Sequence, residues 1–147
     1  MKKLVLTVGN SMMGDDAAGP LLAQTLLGSP VDGWDVLDGG SAPENCVHLI
    51  REMTPDQILI IDAADMDLTP GEIRFIDAEK LDDPFLMSTH ILPLSYLSES
   101  LREFSSKVDL IGIQPKVVAF GYPISPEVKA AVGRVHAWLQ GGGKTLE

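Results

Sequence analysis

Three acidic side chains and one imidazole stand at positions where they could do chemistry. Asp15 and Asp16 follow the first apolar run, Leu4 to Val8, after the loop that begins at Gly9-Asn10. Asp62 directly follows Ile58-Leu-Ile-Ile, where a purely structural residue would more naturally be apolar. His90 comes later, just ahead of a helical pattern that opens at Pro93. Carboxylates brought to one crevice repel each other unless a proton or a cation joins them. A helix N-terminus disfavours imidazolium, which leaves such a ring neutral and able to ligate. Asp62 with Asp15 or Asp16, and the imidazole of His90, would make an incomplete, open donor set of the kind that suits a borderline divalent metal. Asp15 keeps two readings, as a member of that set or as the cap of a helix.

The remaining reactive side chains read as bland. Cys46 falls inside a helical pattern with no base in evidence, so a small packed residue is expected there rather than a nucleophile. His48 lies on an amphipathic helix and His136 sits near Trp138 on the last one. There is no His-Glu-x-x-His pair, which excludes a standard helical zinc peptidase. In Gly9-Asn10-Ser11-Met12-Met13-Gly14 the second glycine arrives too late for a dinucleotide fingerprint. The thioethers of Met12 and Met13 could be core, or could form an apolar contact with a peptide.

Elements that could position these groups alternate along the chain. Leu4 to Val8, Trp34 to Leu37, Ile58 to Ile61 and Val108 to Ile113 are short apolar runs that end in glycine or polar residues. Without polar alternation they suit strands buried on both faces of a parallel sheet. Helices are expected over Pro20 to Leu27 and from a Ser41-to-Glu44 capping box, with Val47, Leu49 and Ile50 behind it. A third carries Leu94, Leu97, Leu101 and Phe104; a fourth opens at Ser125-Pro126 and buries Val128, Val132, Val135 and Leu139. Thr69-Pro70-Gly71 signals a turn into Glu72 to Ile76, which alternates like an antiparallel edge strand with one wet face. Residues 77 to 92 look like an acidic surface excursion. The expected fold is α/β, a single-domain three-layer sandwich: a mostly parallel twisted sheet, one antiparallel edge strand, and helices on both faces. In such sheets the first strand commonly lies between the second and third. Ligands then bind beyond the carboxyl ends, where strand order reverses, and that is where Asp16 and Asp62 would meet.

Composition narrows the partners. The chain has 147 residues, 45% hydrophobic and 22% charged, with 21 acidic against 11 basic side chains and a net charge of -10. An anionic surface repels phosphate backbones and anionic lipid, so neither nucleic acid nor membrane is expected as a partner. One cysteine excludes an internal disulfide framework and a cysteine-rich zinc module. No apolar run approaches a membrane span, and a cytoplasmic location is expected.

Several segments together resemble the hydrogenase maturation endopeptidases. They are Val8-Gly9-Asn10 through Asp15-Asp16-Ala17-Ala18-Gly19, Asp38-Gly39-Gly40, Asp62-Ala63, Thr89-His90 and Gly112-Ile113-Gln114-Pro115, in the family's order and spanning nearly the whole chain. Details of the first, second and last segments are most similar to the branch associated with formate hydrogenlyase. The resemblance implies a cytoplasmic, monomeric endopeptidase over residues 1–140, followed by a flexible tail over 141–147. Its partner would be the nickel-loaded large-subunit precursor of a nickel-iron hydrogenase, from which it removes a C-terminal extension. Metal-ligating and catalytic roles would fall to Asp16, Asp62 and His90, and Asp38 is a further motif position with a less defined role. Relatives often carry glutamate where Asp16 stands, a shorter arm here with the same chemistry. So few donors should hold free metal weakly, so nickel is expected to arrive with the substrate rather than as a resident cofactor. The competing expectation is a phosphoreceiver-like signalling domain with Asp62 as phosphoacceptor and Lys116 as its lysine. The long loop before Asp15 and the turn and strand after Asp62 count against it.

Overall fold

A computed structural model describes residues 1–76 and 91–142. The chain runs through β1 (Lys3–Thr7), a 3-10 turn (Gly14–Ala17), α1 (Ala18–Gly28), β2 (Trp34–Asp38), a second 3-10 turn (Pro43–Cys46) and α2 (Val47–Met53). It continues through β3 (Gln57–Ala63), β4 (Ile73–Ile76), α3 (Ile91–Arg102), β5 (Lys107–Ile113) and α4 (Pro126–Gln140). The sheet order is β2-β1-β3-β5-β4. Four strands are parallel, and β4 pairs antiparallel with β5, Ile73 opposite Ile113. The first strand therefore lies between β2 and β3, and the chain leaves it in both directions, as the crossover rule anticipates.

Strand side chains alternate between two cores. Val5, Leu59, Ile61, Ile111 and Ile113 point to the face covered by α1 and α4, against Leu22, Leu26, Val128, Val132, Val135 and Leu139. Leu4, Leu6, Ile58, Ile60, Val108 and Leu110 point the other way, against Ile50 of α2 and Leu94, Leu97 and Leu101 of α3. This two-sided burial is why β1, β3 and β5 read as runs rich in Val, Ile and Leu, interrupted in β5 by the half-exposed Asp109. The stripes expected on the third and fourth helices are the ones buried, except that Phe104 falls beyond α3 and is half-buried. Ser125 caps α4, its hydroxyl accepting from the Val128 N–H at 3.4 Å, with Pro126 at the first helical position.

Some local expectations are corrected. No Ser41–Glu44 capping box forms: the turn begins at Pro43, its cap is Ala42, and no side chain bonds to its N–H groups. Pro43 presets the first helical φ, so Ser41 stands one residue too early to cap. Leu49 is exposed rather than buried, because the short α2 turns only Ile50 fully inward. β2 forms a sheet margin and is half-exposed along its length, not covered on both faces. Lys3 lies over the Trp34 ring there, 4.8 Å from its centroid. At the opposite margin β4 buries Ile73, while Phe75 meets Trp138 of α4 edge-to-face at 5.4 Å. Residues 77–90, with most of the expected acidic excursion, and residues 143–147 of the expected tail lie outside the described residues. Among the described residues no helix is long and apolar enough to cross a membrane.

Candidate active site at the carboxyl edge of the sheet

The ends of β1, β2 and β3 are tied into one corner. Val8 N–H donates to the Ile61 carbonyl at 2.9 Å, Gly39 N–H to Thr7 at 2.7 Å, and Gly9 N–H to Gly40 at 2.9 Å. Close approach demands glycine at two points. A Cβ on Gly19 would come within 2.2 Å of the Val8 carbonyl oxygen, and one on Gly9 (φ +145°) within 2.1 Å of the Asp16 carbonyl oxygen. These two residues let the turn and α1 fold back onto the end of the first strand.

Asp16 sits in that turn, 6% exposed, and its Oδ2 accepts from the Asn10 N–H at 2.8 Å. The turn packs against β3, whose Asp62 is 1% exposed in the row above Thr7 and Ile61. Two carboxylates thus lie buried on neighbouring elements at the carboxyl edge, where the topology rule places a ligand. By strand alternation Asp62 falls on the α2/α3 face. Asp38 does not share that setting. It ends β2 on the α1 face, exposed, accepting from the Thr7 hydroxyl at 3.2 Å and the Gly40 N–H at 3.0 Å. His90 lies outside the described residues. Among those described, no group of three or more His, Cys, Asp or Glu side chains gathers to hold a metal. Asp16 and Asp62 supply hard oxygen donors that fit a divalent ion, and a complete set requires ligands from elsewhere.

Asp15 does neither of the things expected of it. Its carboxylate is fully buried and accepts from four donors beyond β5: Lys116 N–H (2.8 Å), Val117 N–H (3.0 Å), Ser125 N–H (2.6 Å) and the Ser125 hydroxyl (3.0 Å). Its own N–H donates to the Val117 carbonyl at 2.8 Å. Burial pushes this carboxyl up, but the bonds from Ser125, Val117 and Lys116 together outweigh it and hold the group below its ordinary 3.8. Asp15 is the clamp that fastens the loop after β5 to the loop after β1.

Gln114 is a second structural residue to which the sequence assigned no role. Buried at the end of β5, it accepts from Met66 N–H (2.7 Å) and Leu68 N–H (3.3 Å) and donates to Asp65 Oδ1 (3.1 Å). It fixes the segment that leaves Asp62. That segment turns at Thr69–Glu72 directly into β4, with no helix between β3 and β4. Lys116 Nζ, for its part, lies 3.4 Å from Glu127 Oε2. Neither arrangement supports a phosphoreceiver. Cys46 is half-buried beside α2, its thiol pushed up by burial and then by Asp38 and Glu44, the reverse of an activated nucleophile. His136 Nε2 pairs with the Ser29 carbonyl at 2.9 Å, far from the corner in sequence and fold.

The chain is similar to known proteins along nearly its whole length. The family model for hydrogenase maturation protease matches residues 22–139. The hydrogenase 3 maturation protease of Escherichia coli is 50% identical over 141 residues, covering 96% of this chain and 90% of its own. The solution structure of the endopeptidase HycI from Escherichia coli superposes with a TM-score of 0.91 at 49% identity, over 99% of this chain and 93% of that one. A crystal structure of the [NiFe] hydrogenase maturation protease HycI from Thermococcus kodakarensis gives 0.85 at 27% identity, over 98% and 93%. A buried carboxylate pair at the carboxyl edge of a 2-1-3-5-4 sheet, in a chain this similar to those proteases along nearly its full length, places it plainly: the chain belongs to the hydrogenase maturation protease family.

Proposed function

We propose that this protease removes the C-terminal extension from a nickel-loaded large-subunit precursor of a [NiFe] hydrogenase, and that it works in the cytoplasm as a monomer. The observation that carries the reading is the burial of Asp16 and Asp62 on packed neighbouring elements at the carboxyl edge. Two carboxylates so placed form an anionic receptor for a cation that the substrate brings. Asp16 and Asp62 would offer oxygen donors and His90 a nitrogen donor to the nickel of the precursor, leaving positions for the precursor's own ligands. Docking through that ion would position the scissile peptide, and the ion would polarise its carbonyl.

Affinity of the free enzyme for metal is expected to be weak, since tight sites use more or softer ligands and a rigid outer shell. The deciding experiment incubates metal-free enzyme with one precursor in two forms, with and without nickel. Cleavage of the loaded form alone is expected, and chelator should not inhibit when the metal is shielded in the precursor. Equal cleavage of both forms would show that the carboxylates do not read the substrate's metal.

A further inference from the structure

Ten large apolar side chains stand exposed among the described residues, and five of them share one place: Met12, Val117, Val118, Phe120 and Tyr122. Phe120 and Tyr122 are 70% and 58% exposed. Their loop is nevertheless held firmly. Asp15 grips its start and its end, the Gly121 N–H donates to the Met12 carbonyl at 2.9 Å, and Tyr122 N–H donates to Ala119 at 3.2 Å. Hydrogen bonds to a buried carboxylate, rather than burial of its own apolar side chains, keep this loop in shape. Exposed aromatic groups on a backbone already fixed are what a binding surface needs, because little ordering remains to be done on contact.

The surface continues into a groove of about 490 Å³ between α1 and the end of the same loop. Tyr122, Pro123 and Ile124 form one wall, Leu21 and Leu27 the other, and among the described residues no lysine or arginine lines it. Its volume lies within the roughly 300–1,000 Å³ of ordinary ligand clefts. Its lining also includes Asp38, Ala17 beside Asp16, and Ser11 beside Asn10, whose N–H holds Asp16. The groove therefore borders the turn that carries Asp16.

We propose that the 117–122 loop and this groove are the docking surface for the large-subunit precursor. They seat an extended, apolar segment of it beside the scissile bond, with Phe120 and Tyr122 as anchors and Asp15 as the positioning residue that presents them. The proposal rests on the peptidase reading, names where that substrate is gripped, and leaves the metal to the carboxylates. Its test is the double variant Phe120→Ser/Tyr122→Ser, whose changes are both at the surface, with Tyr96→Ser on α3 as an exposed aromatic control. Processing of nickel-loaded precursor should show KM raised about 10-fold or more with kcat within about 3-fold, while Tyr96→Ser behaves as wild type. Retention of precursor by immobilised protein, measured without turnover in an Asp62→Ala background, should fall by a similar factor in the double variant. An unchanged KM and unchanged retention, with melting temperature preserved, would overturn the docking surface while wild-type processing leaves the peptidase reading standing. Retention that depends on Phe120 and Tyr122 in a wild-type protein unable to cleave would support the surface and defeat the peptidase reading.

Discussion

Asp15 and Asp16 are neighbours in one 3-10 turn and carry the same charge, yet they serve different regions of the molecule. A turn with three residues per revolution rotates successive side chains by about 120°, so adjacent carboxylates must point to different neighbours. Asp15 points into the loop after β5 and meets four donors from residues more than 100 positions away. Asp16 points to the β1–β3 corner, where Asp62 is also buried. One carboxylate is supplied with donors and stabilises the frame. The other accepts from the Asn10 N–H in a turn that packs against β3, the strand that carries the second buried acid, Asp62.

Exchanging the roles would break this comparison, and the largest effect is expected at the corner. Asp62→Ala or Asp16→Ala should lower processing of nickel-loaded precursor by more than the ~100-fold that loss of an outer-shell partner costs a metal site. The melting temperature should hold or rise, since removing one acid relieves repulsion from the other. Parallel melts and processing assays check this, and an Asp62→Ala protein that still processes would refute the assignment.

Asp15→Ala should do the opposite, weakening the fold first. Four donors lose their acceptor, and even with water reaching some of them the cost is about 3 kcal/mol. At this chain length that is a fall in melting temperature of roughly 6–12 °C, measurable by calorimetry. Below that temperature the variant should retain residual processing, because the corner keeps both acids.

The sign of the pH dependence sharpens the contrast. With its folded value below the ordinary 3.8, Asp15 binds fewer protons folded than unfolded. Its contribution is therefore complete above the unfolded value and disappears as pH falls through 3.8 toward the lower folded value. Urea midpoints between pH 3 and pH 6 should show this acid loss in the wild type and a shallower slope in Asp15→Asn.

The smallest effect is expected at Cys46. Cys46→Ser should process within about 2-fold of wild type, and thiol reagents should react slowly, since burial, Asp38 and Glu44 all keep the thiol protonated. Full inactivation of a folded Cys46→Ser protein would reopen a thiol mechanism.

Much of the frame was legible from periodicity. β1, β3 and β5 announce themselves as runs rich in Val, Ile and Leu because helices cover both faces, and α3 and α4 by stripes whose helical members match their buried rows. Placement of Asp16 and Asp62 at one edge followed from the crossover rule, which needs only the order of elements. What escaped had no local signature. The four donors of Asp15 and the hub at Gln114 join segments brought together only by the finished sheet. The failed capping box shows the converse: Ser41 and Glu44 carry the right pattern, but Pro43 between them starts the turn one residue later. β2 misled for a third reason, since an apolar run at a sheet margin looks the same in sequence as one at the centre.

The sheet order also has a consequence during synthesis. β4 precedes β5 in the chain and, among the described residues, pairs only with it, so Ile73–Ile76 leaves the ribosome before that partner strand. About thirty further residues must be made before Lys107 begins β5, a wait of a few seconds at ordinary elongation rates. Four residues holding two isoleucines and a phenylalanine would be a hazard for intermolecular pairing in that interval. Arg74 sits in the middle of the segment, paired in the finished fold with Glu72 at 3.1 Å. A charge in that position is of the kind that blunts intermolecular pairing of an unpartnered apolar strand.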